Sequence, residues 1–124
     1  EIKWQDVPPK FIKGAQIAVL LGDPEKAGMF IIRFKLPANY KVAPHTHPKQ
    51  EHVTVLRGGL AIGMGTKVDM TTPVMPPGTF FDTPANKPHF VFTKEETITE
   101  VSGMGPFELT YLHPEDDPSR PHSH

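Results

Sequence analysis

Turn-forming residues recur along this sequence roughly every 8 to 12 positions, and this spacing restricts the fold more than any other feature. The 15 prolines and 10 glycines stand between short apolar runs and show no repeat. The run Met29 to Leu36 alternates apolar side chains on one face, and Gly58-Gly59 separates two further runs like the turn of a hairpin. No stretch combines a helical period with sufficient length and caps. We therefore predict an all-β domain of the sandwich or barrel type.

The chain of 124 residues is long enough for one domain with its own core. We expect an extended arm over residues 1–14, with Trp4 and Phe11 as apolar anchors, and a barrel over residues 15–112. Residues 113–124 form a polar, proline-rich tail that we expect to be mobile at its end. Further strands are predicted at residues 15–21, 42–47, 51–56, 60–64, 78–84, 89–93, 97–102 and 107–112.

The segment H-T-H-P-K-Q-E, residues 45 to 51, carries the most distinctive chemistry. Side chains an even number of positions apart lie on the same face of a strand, so His45, His47 and Glu51 can converge on one point. Two imidazoles and a carboxylate are a partial metal site that needs another ligand. His52 follows Glu51 directly, so its side chain points to the opposite face of the strand and is expected on the surface.

A fourth ligand should come from another strand, and His89 is the candidate, in the segment 78–89. With these two segments the chain resembles the cupin superfamily. The first cupin motif, G(X)5HXH(X)3,4E(X)6G, matches at His45, His47, Glu51 and Gly58. The second, G(X)5PXG(X)2H(X)3N, matches at Gly78, Pro84 and His89. The resemblance implies a cupin-type double-stranded β-helix, or jelly-roll, barrel with a metal held by these three histidines and Glu51.

Three positions depart from the cupin motifs. Asn39 and Asn86 stand in place of glycines, and asparagine is the residue other than glycine that best tolerates a left-handed turn conformation. Thr93 replaces an asparagine outside the ligand set, so it affects only local hydrogen bonding. Two plainer readings stay open beside the metal site: His45 and His47 could belong to a solvated loop with incidental spacing, and His89 could be a hydrogen-bonded core histidine.

The ligand set suits one divalent transition ion per chain, and the donors do not select among Mn, Fe, Co, Ni, Cu and Zn. Such an ion can polarise a carbonyl or lower the pKa of bound water. Candidates for a catalytic proton-transfer group are Tyr111 and Arg33, and Asp82 and Tyr40 are secondary candidates. The sequence places none of the four in the cavity.

In the predicted strand at residues 89–93, successive side chains lie on opposite faces. If His89 faces the barrel interior, Phe90 and Phe92 face outward and would form an exposed apolar stripe unless covered. We expect cover from the N-terminal arm or from a second subunit, and small cupins are often homodimers.

Charge and composition limit the partners. The chain has 13 basic and 14 acidic residues, with no basic stripe and no apolar run of membrane-spanning length, so we expect neither nucleic acid nor a membrane as partner. It has no cysteine, which excludes disulfides and thiolate ligands. A small molecule is the expected partner. The chain begins with Glu1, which is compatible with a removed signal, and small cupins that resemble this one often carry one; we therefore expect a periplasmic or secreted protein rather than a cytoplasmic one.

The leading functional prediction is a metal-dependent enzyme acting on a small oxygen-rich organic substrate, by oxygenase-like chemistry or as an isomerase, decarboxylase or lyase. The alternative is a non-catalytic metal-dependent binding or sensing module, and a storage protein is a third reading. Barrels of this kind host many reactions, so the fold itself does not choose among them.

Overall fold

The computed structural model describes residues 2–120, which form ten β-strands and one short 3₁₀ helix. The strands are β1 (Gln5–Asp6), β2 (Gln16–Leu21), β3 (Gly28–Leu36), β4 (Lys41–Thr46), β5 (Glu51–Arg57), β6 (Ala61–Met64), β7 (Phe80–Thr83), β8 (His89–Phe92), β9 (Thr97–Gly105) and β10 (Thr110–Tyr111), and the helix is Pro114–Asp116. One sheet has the order β1-β2-β3-β9-β5-β7 and the other β10-β4-β8-β6. Within these residues no helix is long and apolar enough to span a membrane.

The main core lies on the inner face of the six-stranded sheet. The even-numbered residues of β3, from Phe30 to Leu36, are all buried, as their alternation predicts. β3 pairs with β9 along its whole length, and β9 pairs with β5, so Val53, Val55 and Val101 continue the same apolar layer. The four-stranded sheet closes the other side of this layer, and the candidate site lies between the two sheets.

The predicted hairpin at Gly58-Gly59 is wrong. β5 pairs with β7 and β9 in one sheet, whereas β6 pairs with β8 in the other, so the chain crosses between sheets here. Gly58 has φ +77°, and a Cβ on it would lie 2.2 Å from the carbonyl oxygen of Glu96. The buried Thr97 hydroxyl donates to the Gly59 carbonyl at 2.8 Å and fixes the crossing. A tight hairpin and a tight crossing both favour glycine, so the local sequence does not separate them.

The prediction that Phe90 and Phe92 face away from the barrel interior is confirmed, but their expected cover is wrong. Both are only 1% exposed, and they pack with Ala61, Val68 and Val74 in a second apolar cluster. Val68 and Val74 belong to the segment between β6 and β7. The outer face of β8 is therefore covered by this chain itself, and it supplies no argument for a second subunit.

The predicted arm and tail are partly regular. Residues Gln5–Asp6 of the arm pair with β2, and Lys35 Nζ lies 4.6 Å from the centre of the Trp4 ring. The predicted strand at residues 107–112 is reduced to Thr110–Tyr111. The tail contains the 3₁₀ helix, and its end, residues 121–124 with His122 and His124, lies outside the described residues.

Candidate metal centre

Three histidines meet where β4 and β8 run side by side. His45 is paired directly with His89, and His47 follows the end of β4. A bulge in β4 between Val42 and His45 keeps both of these residues on the inner face although they are three positions apart. All three histidines are buried, and one ring nitrogen from each lies within 4.8 Å of the others.

Glu51 reaches the histidines from the sheet opposite to the one that carries β4 and β8. The chain bends at Pro48 and Lys49, and Glu51 then begins β5 in the opposite sheet. Its Oε1 lies 3.5 Å from His47 Nε2, and the side chain is buried. The prediction that Glu51 shares a strand face with His45 and His47 is therefore wrong, because the two predicted strands lie in different sheets and the packing of the sheets brings the carboxyl group to the histidines. The mutually close nitrogens are those of the three histidines, and Glu51 adjoins them through His47.

Each imidazole is anchored through Nδ1 to a backbone carbonyl. The acceptors are Ala43 for His45 at 2.7 Å, Glu108 for His47 at 2.7 Å and Lys87 for His89 at 3.2 Å. A carbonyl oxygen only accepts, so Nδ1 carries the proton in each ring. In the neutral rings the lone pair is then on Nε2, which is the arrangement of metal-binding histidines.

Burial keeps these imidazoles uncharged. Desolvation is the main cause that lowers the pKa of His45 to about 3, and the neighbouring His89 and His47 lower it further. Desolvation likewise lowers the pKa of His47 to about 4, against the opposing effect of the Glu108 carbonyl. The pKa of His89 is also lowered by burial. At neutral pH the site offers three neutral nitrogen donors rather than cations.

The carboxyl group of Glu51 responds to burial in the opposite sense. Desolvation raises its pKa to about 8, so the metal-free protein holds a proton there at neutral pH. Gly103 stands opposite Glu51 on β9, and a Cβ at that position would lie 3.5 Å from Glu51 Cγ and 3.2 Å from the Gln50 carbonyl oxygen. The absence of a side chain at Gly103 therefore leaves room for the carboxyl group.

The donors open into an inner cavity of about 70 Å³. Its polar lining consists of His45, His47, Glu51, Thr83, His89 and Thr99. The remaining wall is apolar, with Phe34, Val53 and Phe107 among its residues. Such a wall excludes bulk water and strengthens electrostatic interactions at the donors.

The donor set fits a divalent transition ion. Three neutral imidazoles with free Nε2 atoms and an adjoining carboxyl group are borderline ligands of the type used for Zn, Fe, Mn, Co, Ni and Cu. A solvated loop is excluded for His45 and His47 by their burial. A purely structural role would satisfy each ring by one hydrogen bond, yet one ring nitrogen of each histidine also lies within 4.8 Å of the other two.

The predicted catalytic candidates do not reach the cavity. Arg33 lies on the outer face of β3, where Nε donates to Glu100 at 2.9 Å, so its prediction is wrong. Tyr111 has its ring 6.0 Å from that of His45, but its hydroxyl donates to the Lys10 carbonyl and its pKa is raised by burial.

The two secondary candidates are also engaged elsewhere. Tyr40 donates its hydroxyl to the Ile12 carbonyl at 2.5 Å, and burial raises its pKa to about 12. Asp82 lies on the surface, 3.0 Å from His52 Nδ1, which confirms the predicted surface position of His52. Among the titratable groups of residues 2–120, only Glu51 and the histidines line the inner cavity.

Sequence reasoning missed the aromatic residue that packs on the site. The Phe107 ring stacks on His47 with centroids 5.2 Å apart, and it also touches Phe30 at 5.5 Å. No motif marks this residue, since it follows Pro106 in an irregular segment before β10. The sequence contains a weak indication of the carbonyl groups that accept from the imidazoles, because Ala43 and Lys87 each stand two positions before a predicted ligand.

Comparison with known proteins identifies the family. A family model described as a domain of unknown function, DUF4437, matches residues 1–110. The chain belongs to the DUF4437 family. A search of curated proteins finds no match to this DUF4437 chain.

Solved structures with the same fold cover nearly the whole chain. The polyketide cyclase RemF from Streptomyces resistomycificus aligns with TM-score 0.76 and 19% identity, over 96% of this chain and 85% of that chain. An RmlC-like cupin protein from Ralstonia eutropha JMP134 aligns with TM-score 0.71 and 21% identity, over 94% of this chain and 70% of that chain. An acetylacetone dioxygenase from Acinetobacter johnsonii aligns with TM-score 0.69 and 16% identity, over 92% of this chain and 74% of that chain. The predicted cupin resemblance and jelly-roll fold of the DUF4437 domain are confirmed.

Proposed function

We propose that this protein is a mononuclear metal-dependent enzyme that acts on a small organic substrate with oxygen donors. The observation that carries the proposal is the anchoring of three buried imidazoles through Nδ1, which directs three Nε2 lone pairs to one point. A buried group of neutral nitrogens at that separation has a clear use as a metal site. His45, His47 and His89 are the proposed ligands, and Glu51 is the proposed fourth.

The proposed chemistry depends on the divalent transition ion and on the apolar lining of the inner cavity. When bound, a divalent ion would polarise a carbonyl or enol oxygen of the substrate. The apolar lining excludes water from the reacting atoms. Glu51 is the one carboxyl group that faces the cavity within residues 2–120, and it can hold or accept a proton at its carboxyl oxygen. Oxygenase-like, isomerase and lyase reactions all fit this arrangement.

Two of the fold relatives support the enzyme reading. They are a polyketide cyclase and an acetylacetone dioxygenase, both of them enzymes. Acetylacetone carries two carbonyl oxygens, the donor type that we propose for the substrate here.

A specific observation favours the alternative of a non-catalytic binding or sensing module. Beyond the proposed ligands, the only polar side chains that residues 2–120 contribute to the cavity are the hydroxyls of Thr83 and Thr99. Thr83 already donates to the Glu51 carbonyl at 3.2 Å. A site with so few proton-transfer groups suits binding as well as catalysis.

Elemental analysis of protein purified without chelators is the first test. We expect one equivalent of a divalent transition metal per chain, and less than a tenth of that in His47→Ala. The loaded protein is then assayed on diketones, catechols and hydroxy acids, with oxygen uptake followed for the ferrous form. Turnover lost in Glu51→Ala but kept in His52→Ala supports the enzyme; metal-dependent binding without turnover across the panel supports the binding module. Absence of stoichiometric metal in the wild-type protein would refute both.

We further propose a homodimer and an exported location. The outer face of β2, β3 and β9 supports the dimer, because Leu21, Met29 and Met104 are about half exposed there on paired strands. Analytical ultracentrifugation tests the dimer. The genomic start codon and the mass of the native protein test the location.

A further inference from the structure

An aromatic partition separates the inner cavity from the protein surface. Phe11, from the N-terminal arm, and Phe107, before β10, both line the inner cavity. They also line an outer cleft of about 340 Å³, together with Pro8, Ile17, Pro24 and Leu109. The two rings therefore stand between the cleft and the proposed metal ligands.

The inner cavity is too small for most organic substrates. Its volume of about 70 Å³ has room for a few water molecules. A ligand that brings an oxygen donor to the histidines and extends its larger body into the outer cleft reaches across Phe11 and Phe107, the residues that the two spaces share. The body of such a ligand would then lie against these two rings.

The geometry of the two rings selects the shape of that body. Their planes are 8° from parallel and their centroids are 6.3 Å apart. Because the two ring planes are nearly parallel, a flat group can stack against both faces at the ~3.5 Å contact distance of carbon atoms once the rings separate. A tetrahedral body cannot make face contact with both rings in this way. Phe107 also stacks on His47, so the rings lead directly to the proposed ligands.

The arm is tied down on both sides of Phe11. The Tyr111 hydroxyl donates to the Lys10 carbonyl, and the Tyr40 hydroxyl donates to the Ile12 carbonyl. Lys10 Nζ also donates to Asp117 Oδ2 at 2.7 Å. These bonds hold the backbone while the Phe11 side chain remains free of polar ties, so the ring can move without releasing the arm.

We infer that Phe11 and Phe107 form the specificity-determining part of the binding site, which holds a planar aromatic or conjugated group whose oxygen donors reach the three histidines. The inference rests on the proposed metal site and adds the substrate class. The residues that touch the flat part of the ligand belong to the arm and to the segment before β10, and the metal ligands belong to β4, β5 and β8.

Two hydroxamates with the same chelating group test this inference. Benzohydroxamate carries a planar ring and acetohydroxamate a methyl group, and each is titrated into Co²⁺-loaded protein while the visible spectrum of the ion is followed. We expect the wild-type protein to prefer benzohydroxamate by about tenfold. Phe11→Ala should reduce that preference about 3- to 10-fold, which is the effect expected for loss of one aromatic pair.

Matched variants separate stacking from general damage. Phe11→Leu keeps apolar bulk without a planar face and should lose most of the preference, whereas Phe80→Ala removes an exposed ring on the far face of β7 and should keep it. A preference that stays within twofold of wild type in Phe11→Ala and Phe11→Leu would overturn the inference and leave the metal site standing. Failure of the wild-type protein to bind Co²⁺ would overturn the proposed function and the inference together.

Discussion

His45 and His89 lie directly opposite each other on β4 and β8, and each donates its Nδ1–H to the carbonyl of the residue two positions before it in the chain. The ring orientations are therefore set by the same backbone segments that carry the rings. His47 is anchored from a third segment, through the Glu108 carbonyl. Because the anchors are backbone atoms, the three Nε2 atoms are preorganised by the fold.

Removing one imidazole should abolish metal binding without unfolding the barrel. We expect His89→Ala to lower the affinity for Zn²⁺ by at least about 100-fold, since loss of outer-shell partners alone costs 10- to 100-fold. His52→Ala, an exposed histidine on the outer face of β5, is the control and should bind like the wild type. Competition with a chromophoric chelator measures both. Equal affinity in the two variants would contradict the assigned site.

Metal binding should release about one proton, and Glu51 should be its source. At pH 6.5 His45 and His47 are already neutral, with pKa values of about 3 and 4, whereas burial raises the pKa of Glu51 to about 8. The affinity should therefore rise about tenfold per pH unit up to pH 8 and then level off.

Calorimetry in buffers of different ionisation enthalpy counts the released protons. Glu51→Gln should release close to none at pH 6.5. Release of three protons by the wild-type protein would mean that the histidines are charged before binding, contrary to their burial.

The metal-free protein should lose stability as the pH rises, and Glu51 is the reason. The unfolded chain releases the Glu51 proton above about pH 4.5, but the folded chain keeps it until about pH 8. The folded state thus binds more protons between these values, so the free energy of unfolding falls across this window. Glu51→Gln should be more stable than the wild type by on the order of 2 to 4 kcal/mol at pH 8, and by little at pH 4.5.

Urea unfolding in the presence of a chelator measures this difference. The histidine contributions are common to both proteins and cancel. A stability difference that does not vary between pH 4.5 and pH 8 would show that the carboxyl group is ionised in the folded protein.

The clustering of His45, His47 and His89 and the faces of the strands were predictable because they depend on local periodicity and on two motifs. The positive φ angles of Asn39 and Asn86, 60° and 59°, were predictable for the same reason, since they replace the glycines of those motifs. The sheet to which a strand belongs is a non-local property. Gly58 could not reveal that β5 and β6 lie in different sheets, nor could Glu51 reveal that its strand lies in the sheet opposite to β4.

The aromatic part of the site was not predictable for a related reason. Phe11 and Phe107 are 96 positions apart, and their ring centroids lie 6.3 Å apart because the arm folds back over the barrel. Neither residue belongs to a motif, and nothing in the sequence pairs the anchor Phe11 with Phe107 at the start of the predicted strand 107–112. The same applies to the cover over Phe90 and Phe92, which comes from a loop where the apolar residues are scattered among prolines, glycines and polar residues.

The second apolar cluster should be an intrinsic part of the folded monomer. Phe92 is 1% exposed and pairs with Ala61, and Phe92→Ala should lower the free energy of unfolding by about 3 to 5 kcal/mol because it leaves a cavity in the second apolar cluster. Phe80→Ala makes the same change at a ring that is 59% exposed, and it should cost less than about 1 kcal/mol.

Chemical unfolding at several protein concentrations distinguishes cover by the chain itself from cover by a second subunit. If the loop between β6 and β7 supplies the cover, the difference between Phe92→Ala and the wild type is independent of concentration. If a partner subunit supplied it, the wild-type transition would shift to higher urea with concentration and the Phe92→Ala transition would not, because the interface would be lost. The packing of Val68 and Val74 on this cluster leads us to expect the first result.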